Sequence, residues 1–116
     1  MKRTRIRPIS DKRKKHLALR DKVLPAVWAR DKGRCLNCGE PATEVHEIIP
    51  RSMAGNRTME RIFRIDNMCC ICRQCHAKAA NQKMRFRLLT EMQRRYNYVY
   101  PLDGPWREVL LRGEDG

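Results

Sequence analysis

Apolar residues fall into short separate groups along this chain, and the spacing within the groups changes from one to the next. Residues 1–9, MKRTRIRPI, have no periodic apolar face, and Pro8 biases Arg7 away from helix, so the segment reads as extended. Ser10 suits a helix cap, because its hydroxyl can accept from an exposed backbone N–H; a helix is expected from about Asp11. Leu17, Leu19, Val23 and Leu24 give that helix a partial apolar face. Pro25 is expected to interrupt it or open a second turn of helix, with Val27 and Trp28 packing inward and Gly33 as the stop.

From Cys35 the texture changes. CLNCGEPA reads as a knuckle, two cysteines around a turn that Gly39 and Pro41 bend back. TEVHEII, rich in β-branched residues, predicts a short strand ended by Pro50. Residues 51–66 read as a basic, Gly-containing loop, NMCCIC as a second short strand and RQCH as a second knuckle. Met84, Leu88, Leu89, Met92 and Tyr96 recur at helical spacing and predict one long helix over 76–96, the methionines serving as core. After Pro101, Trp106, Val109, Leu110 and Leu111 suit a short helix packing back. The expected divisions are a basic arm and helix at 1–32, a core at 33–100 and a tail at 101–116, all within one domain.

Charge sharpens this picture. The chain has 116 residues and a net charge of +13. Residues 1–34 hold 13 Lys/Arg against Asp11, Asp21 and Asp31, a net of +10, so the remainder carries only +3. A basic arm on a nearly balanced body suits a polyanion partner, through counterion release at phosphates. Arg3, Arg5, Arg7, Lys12, Arg13, Lys14 and Lys15 are the candidate backbone contacts. With a mean hydropathy of -0.73 the core must be small, and a chain this polar needs a staple. No apolar run resembles a signal peptide or a membrane span, so a cytoplasmic setting is expected. There, paired cysteines read as metal ligands before disulfides.

Cys35-x2-Cys38 and Cys72-x2-Cys75 each place two thiolates on one turn, and two such turns make the tetrahedral four-sulfur site that structural zinc occupies. Cys69-x2-Cys72 has ligand spacing too. The later register is preferred because His76 follows it directly; Cys69 and Cys70 then become ordinary buried thiols. Thirty-three residues separate the pairs, and this insert holds His46-Glu47 and Asn67.

These residues resemble the HNH endonucleases, the cysteine-bearing branch of the ββα-metal (His-Me finger) nucleases. The family runs C-x2-C, a strand with an Asp/His-His-Ile-x-Pro signature, a loop Asn, then C-x2-C-H. This chain reads C35LNC38, V45HEIIP50, N67 and C72RQC75H76. The match covers residues 33–80, and IRPIS with KRKKH looks like the basic lead-in of phage-type members.

The resemblance implies an α+β chain: a small zinc-stapled ββα-metal (HNH) fold with flanking N-terminal and C-terminal helices. It implies metal-dependent hydrolysis of DNA phosphodiester bonds, by nicking of double-stranded DNA with low sequence specificity. His46 and His76 would hold a catalytic Mg²⁺, Mn²⁺ or Ni²⁺ beside the structural Zn²⁺ site. Asn67 would orient the general base or its strand, and Arg51 would clamp a phosphate. Glu47 stands where the family has its histidine base. It reads as a working base, as a metal ligand beside activated water, or as the mark of a weak site. Strand alternation sends His46 and Glu47 to opposite faces, so aiming both at one phosphate requires a bulge or approach from two sides. The chain is expected to act as a monomer or weak dimer, with phage packaging or recombination proteins as further partners. The competing readings are a zinc-knuckle nucleic-acid-binding module that does not cut and a packaging or recombination accessory protein.

Overall fold

The computed structural model describes residues 10–55, 59–100 and 103–113. Helix α1 runs Asp11–Asp31, and the Ser10 hydroxyl caps it by accepting from the Arg13 N–H at 3.1 Å. The helix continues through Pro25, against the expected interruption. An interior proline costs about 3 kcal/mol, because it has no N–H and crowds the preceding turn. Tertiary ties on both sides of Pro25 offset that cost. Arg20 donates to the Val45 carbonyl at 3.3 Å, and Val27 packs with Val45, Met68 and Cys70. The helix ends at Lys32, in left-handed geometry at φ 56°, and the Gly33 N–H returns to the Trp28 carbonyl.

The first knuckle is closed by backbone bonds. The Cys35 N–H donates to Glu40 O at 2.7 Å, and the Gly39 N–H to Cys35 O at 2.9 Å. Gly39 has φ +81°, a conformation a side chain would strain. The chain then enters β1, Glu44–Glu47, which pairs antiparallel with β2, Met68–Ile71. Glu44 lies opposite Ile71, Val45 opposite Cys70, His46 opposite Cys69 and Glu47 opposite Met68. The pairing is regular, without a bulge.

Residues 51–66 are not simply a loop. They hold single 3-10 turns at Arg51–Met53 and Ile65–Asn67 around a short helix α2, Met59–Ile62. Ile62 and Phe63 are buried, so packing imposes these turns where periodicity is too short to read. The expected long helix is also divided, into α3 (Arg73–Ala77) and α4 (Gln82–Tyr96). Asn81 causes the restart: it is extended, and its side-chain oxygen caps the Met84 N–H at 2.8 Å. Met84, Leu88, Leu89 and Met92 are buried as core. Helix α5, Gly104–Arg112, returns Trp106 and Val109 to that core.

The two-stranded sheet is covered on both faces. Val27 of α1 packs with Val45, Met68 and Cys70 on one side. Cys69 and Ile71 face the larger cluster, built around Leu36, Ile48, Leu88 and Met92, on the other. Asp31 ties the layers together. It accepts from the Cys70 N–H at 2.8 Å and from the Tyr96 hydroxyl at 2.6 Å, and Arg30 bonds it through two nitrogens at 2.8 and 3.1 Å. Arg30 also donates to the carbonyls of Ile65 and Met68, so one buried pair fixes α1 against β2 and the end of α4. Among the described residues, no helix is long and apolar enough to cross a membrane.

Candidate metal centre and adjoining cleft

The sulfurs of Cys35, Cys38, Cys72 and Cys75 all lie within 4.8 Å of one another, and those of Cys38 and Cys72 are 3.7 Å apart. Four sulfurs around zinc, with Zn–S bonds of about 2.3 Å in a tetrahedron, sit about 3.8 Å from each other. The cysteines are therefore placed to hold a metal ion, as the sequence register of Cys72 and Cys75 requires. Cys69 and Cys70 are buried away from the cluster, and the Cys70 thiol donates to Val27 O at 3.7 Å.

The knuckle backbone prepares the sulfurs for a cation. Burial opposes ionisation of Cys35, but N–H bonds from Cys38, Cys72 and Asn37 outweigh it and hold its thiol at about 7. Cys75 moves the other way. Burial and the crowding thiols of Cys72, Cys35 and Cys38 push it up to about 12, against a hydrogen bond from the Asn37 amide at 3.3 Å. A bound Zn²⁺ would remove that thiol–thiol conflict.

The second knuckle runs directly into α3, whose His76 side chain reaches β1. His76 Nδ1 lies 2.7 Å from a carboxylate oxygen of Glu44. The His46 ring stands against the His76 ring, with centroids 4.9 Å apart and planes at 61°. Both line a cleft of about 270 Å³ with Ile48, Pro50, Ser52, Ala79, Ala80 and Arg85. His46 Nε2 is buried and has no hydrogen-bond partner among the described residues, and the same holds for Arg85 Nε. Burial, followed by the charges of His76 and Arg85, lowers the His46 pKa to about 4, against a smaller upward pull from Glu44. The imidazole is thus neutral at pH 7 and its lone pair is available.

Glu47 sits elsewhere. Its carboxylate lies 3.4 Å from Arg20 Nε, on the face of the sheet that α1 covers. The regular strand separates Glu47 from His46 and instead places Glu44, two residues earlier, beside the histidines. Sequence reasoning missed Glu44, although alternation alone puts Glu44 and His46 on one face. It counts Arg85 only among the helix arginines expected to hold the duplex backbone, not as a residue of the cleft.

Asn67 is fully buried and braces the end of β1. Its side chain accepts from the Ile49 N–H at 3.0 Å and donates to Ile49 O at 3.1 Å and Ile62 O at 3.0 Å. Its own carbonyl accepts from the Ile48 N–H at 2.8 Å. Arg51 is exposed in the turn after Pro50. Lys12, Arg13, Lys14 and Lys15 are exposed on the first turns of α1, with Lys15 paired to Glu60 at 2.8 Å. Arg3, Arg5 and Arg7 lie outside the described residues.

Comparison with known proteins finds no matching family model, no matching curated protein and no matching solved structure.

Proposed function

We propose that this protein is a metal-dependent DNA endonuclease of the HNH kind, hydrolysing phosphodiester bonds and nicking one strand per encounter. The observation that carries the reading is the meeting of His46 and His76 in one cleft, with a buried, unpartnered nitrogen on His46. In sequence His46 lies between the two cysteine pairs and His76 directly follows the second, and the exposed basic start of α1 supplies charge for a polyanion.

The donor set fits a borderline divalent ion. Two imidazoles suit Ni²⁺ better than Mn²⁺ or Mg²⁺, which prefer oxygen ligands. His46 and His76 would hold that ion. When bound, it would neutralise charge on the scissile phosphate and acidify adjacent water. The chain's own residues do the rest. The Glu44 carboxylate, set against His76 Nδ1, would accept from that N–H and hold the ring, leaving Nε2 as the ligand atom. Burial keeps His46 neutral and able to donate its lone pair. Glu47 acts at a distance, by joining β1 to Arg20 on α1.

The test is a supercoiled-plasmid assay with Mn²⁺, Ni²⁺ or Mg²⁺, and with EDTA as control. Nicking that requires the ion and disappears in His76→Ala at unchanged zinc content supports the nuclease. Binding of DNA without nicking under every metal would replace it with a zinc-knuckle nucleic-acid-binding module.

A further inference from the structure

We propose that Arg85 is a phosphate seat: its guanidinium receives a non-bridging oxygen of a phosphodiester in the cleft beside His46 and His76. This deepens the nuclease reading and rests on it for the substrate class.

Three buried side-chain nitrogens have no hydrogen-bond partner among the described residues, and two of them, His46 Nε2 and Arg85 Nε, belong to residues that line this one cleft. A guanidinium N–H withdrawn from water without an acceptor is costly, and such groups are normally satisfied. Among the described residues Arg85 has no carboxylate partner, whereas Arg20, Arg30, Arg61, Arg64, Arg94, Arg95 and Arg112 each lie beside an acid. Glu44, beside the cleft histidines, is engaged by His76.

The charge of the cleft therefore favours an anion. The Arg85 guanidinium is a fixed cation, and the Glu44 carboxylate is committed to His76. A planar guanidinium matches the oxygens of a phosphate better than a point charge does. At about 270 Å³ the cleft falls just below the ~300–1,000 Å³ typical of small-molecule sites. It has room for one phosphodiester group, not for a base pair. Arg85 sits on α4 and His76 on α3, so they reach the cleft from either side of the helix break at Asn81. The two sides of the cleft would divide the work: the histidines hold a cation and Arg85 holds the phosphate.

The experiment is an NMR titration of the zinc-loaded full chain with dimethyl phosphate, a diester that needs no cutting, and with acetate in parallel. Arg85 Nε–H is assigned by its loss in Arg85→Lys. The expected result is a saturable shift of that resonance with dimethyl phosphate, with imidazole shifts at His46 and His76, and a weaker response to acetate. Arg85→Ala should weaken the imidazole response by about tenfold. An Arg85 resonance that stays fixed, or that answers acetate equally, overturns the seat. If Arg85→Ala loses its fold or its zinc, the wild-type titration alone decides. The outcomes separate from those of the plasmid assay. Uncut plasmid with a responsive Arg85 removes the nuclease and keeps the phosphate seat; cut plasmid with a silent Arg85 does the reverse.

Discussion

Glu44 on β1 and His76 on α3 are joined by a 2.7 Å contact between a carboxylate oxygen and an imidazole nitrogen. Outer partners of this kind fix the tautomer of a metal-binding histidine, and their loss typically costs about 10–100-fold in affinity or activity. Glu44→Gln should accordingly reduce metal-dependent nicking by about that factor, while Glu47→Gln, on the opposite face, should change it by less than about threefold. Comparing the two variants at saturating Mn²⁺ checks this. A larger loss for Glu47→Gln would return the working carboxylate to position 47.

The cysteine cluster gives a sharp contrast between neighbours. Cys72→Ser should abolish zinc binding and unfold the chain, because a small polar domain depends on its staple. Cys69→Ala should keep about one zinc per chain, since its sulfur lies outside the four-sulfur cluster. Metal analysis with a chelator-dependent melting curve reads both.

Asn67→Ala would leave the Ile49 N–H and the carbonyls of Ile49 and Ile62 without their side-chain partners inside the protein. Each buried group stranded in this way costs about 1–3 kcal/mol. A loss of about 3 kcal/mol is expected, visible as a lower denaturation midpoint at unchanged zinc content. Asn67→Asp should lose as much, because it keeps one acceptor and forfeits both donations.

His46 sets a pH dependence. Burial first, then His76 and Arg85, lowers its pKa from 6.5 to about 4 in the folded chain. The unfolded chain therefore takes up the proton more readily, and its contribution to stability is complete above about pH 6.5. That contribution is lost as the pH falls from there toward about 4, and amounts to about 3 kcal/mol at most. Denaturation of wild type and His46→Gln at several pH values should show the steeper acid loss in wild type. Parallel profiles would remove His46 as the cause.

Lys12, Arg13 and Lys14 occupy the exposed first turn of α1. If all three meet DNA phosphates, replacing them with alanine should lower the log–log salt slope of binding by up to about 3, at roughly 0.9 per contact. Fluorescence anisotropy across a salt series measures it, and an unchanged slope would place the contacts elsewhere.

Much of this architecture was legible in the sequence because its causes are local. The two knuckles follow from cysteine spacing and Gly39, the strands from Val45, Ile48 and the run after Asn67, and the α4 core face from four apolar residues at helical spacing. The misses have non-local causes. Pro25 looked like a break because its compensation comes from Arg20, Val27 and Arg30, which act through residues far along the chain. The helix over 76–96 looked continuous because Asn81 reads as an ordinary polar residue until its cap to Met84 is seen. Glu44 was overlooked for another reason: the signature pair drew attention to His46 and Glu47, although strand alternation alone separates those two.

The sheet thus has a parity. Four residues of β1 share two destinations, with Glu44 and His46 on the cleft side and Val45 and Glu47 on the side of α1. A slip of one position against β2 would exchange the two sets, sending a valine into the cleft and a histidine under the helix. Asn67, which grips the backbone of Ile49 just beyond the strand, and Arg20, which grips Val45 and Glu47 from behind, act as the lock on that count. The chemistry of the cleft is in this sense written in whether a residue number is even or odd.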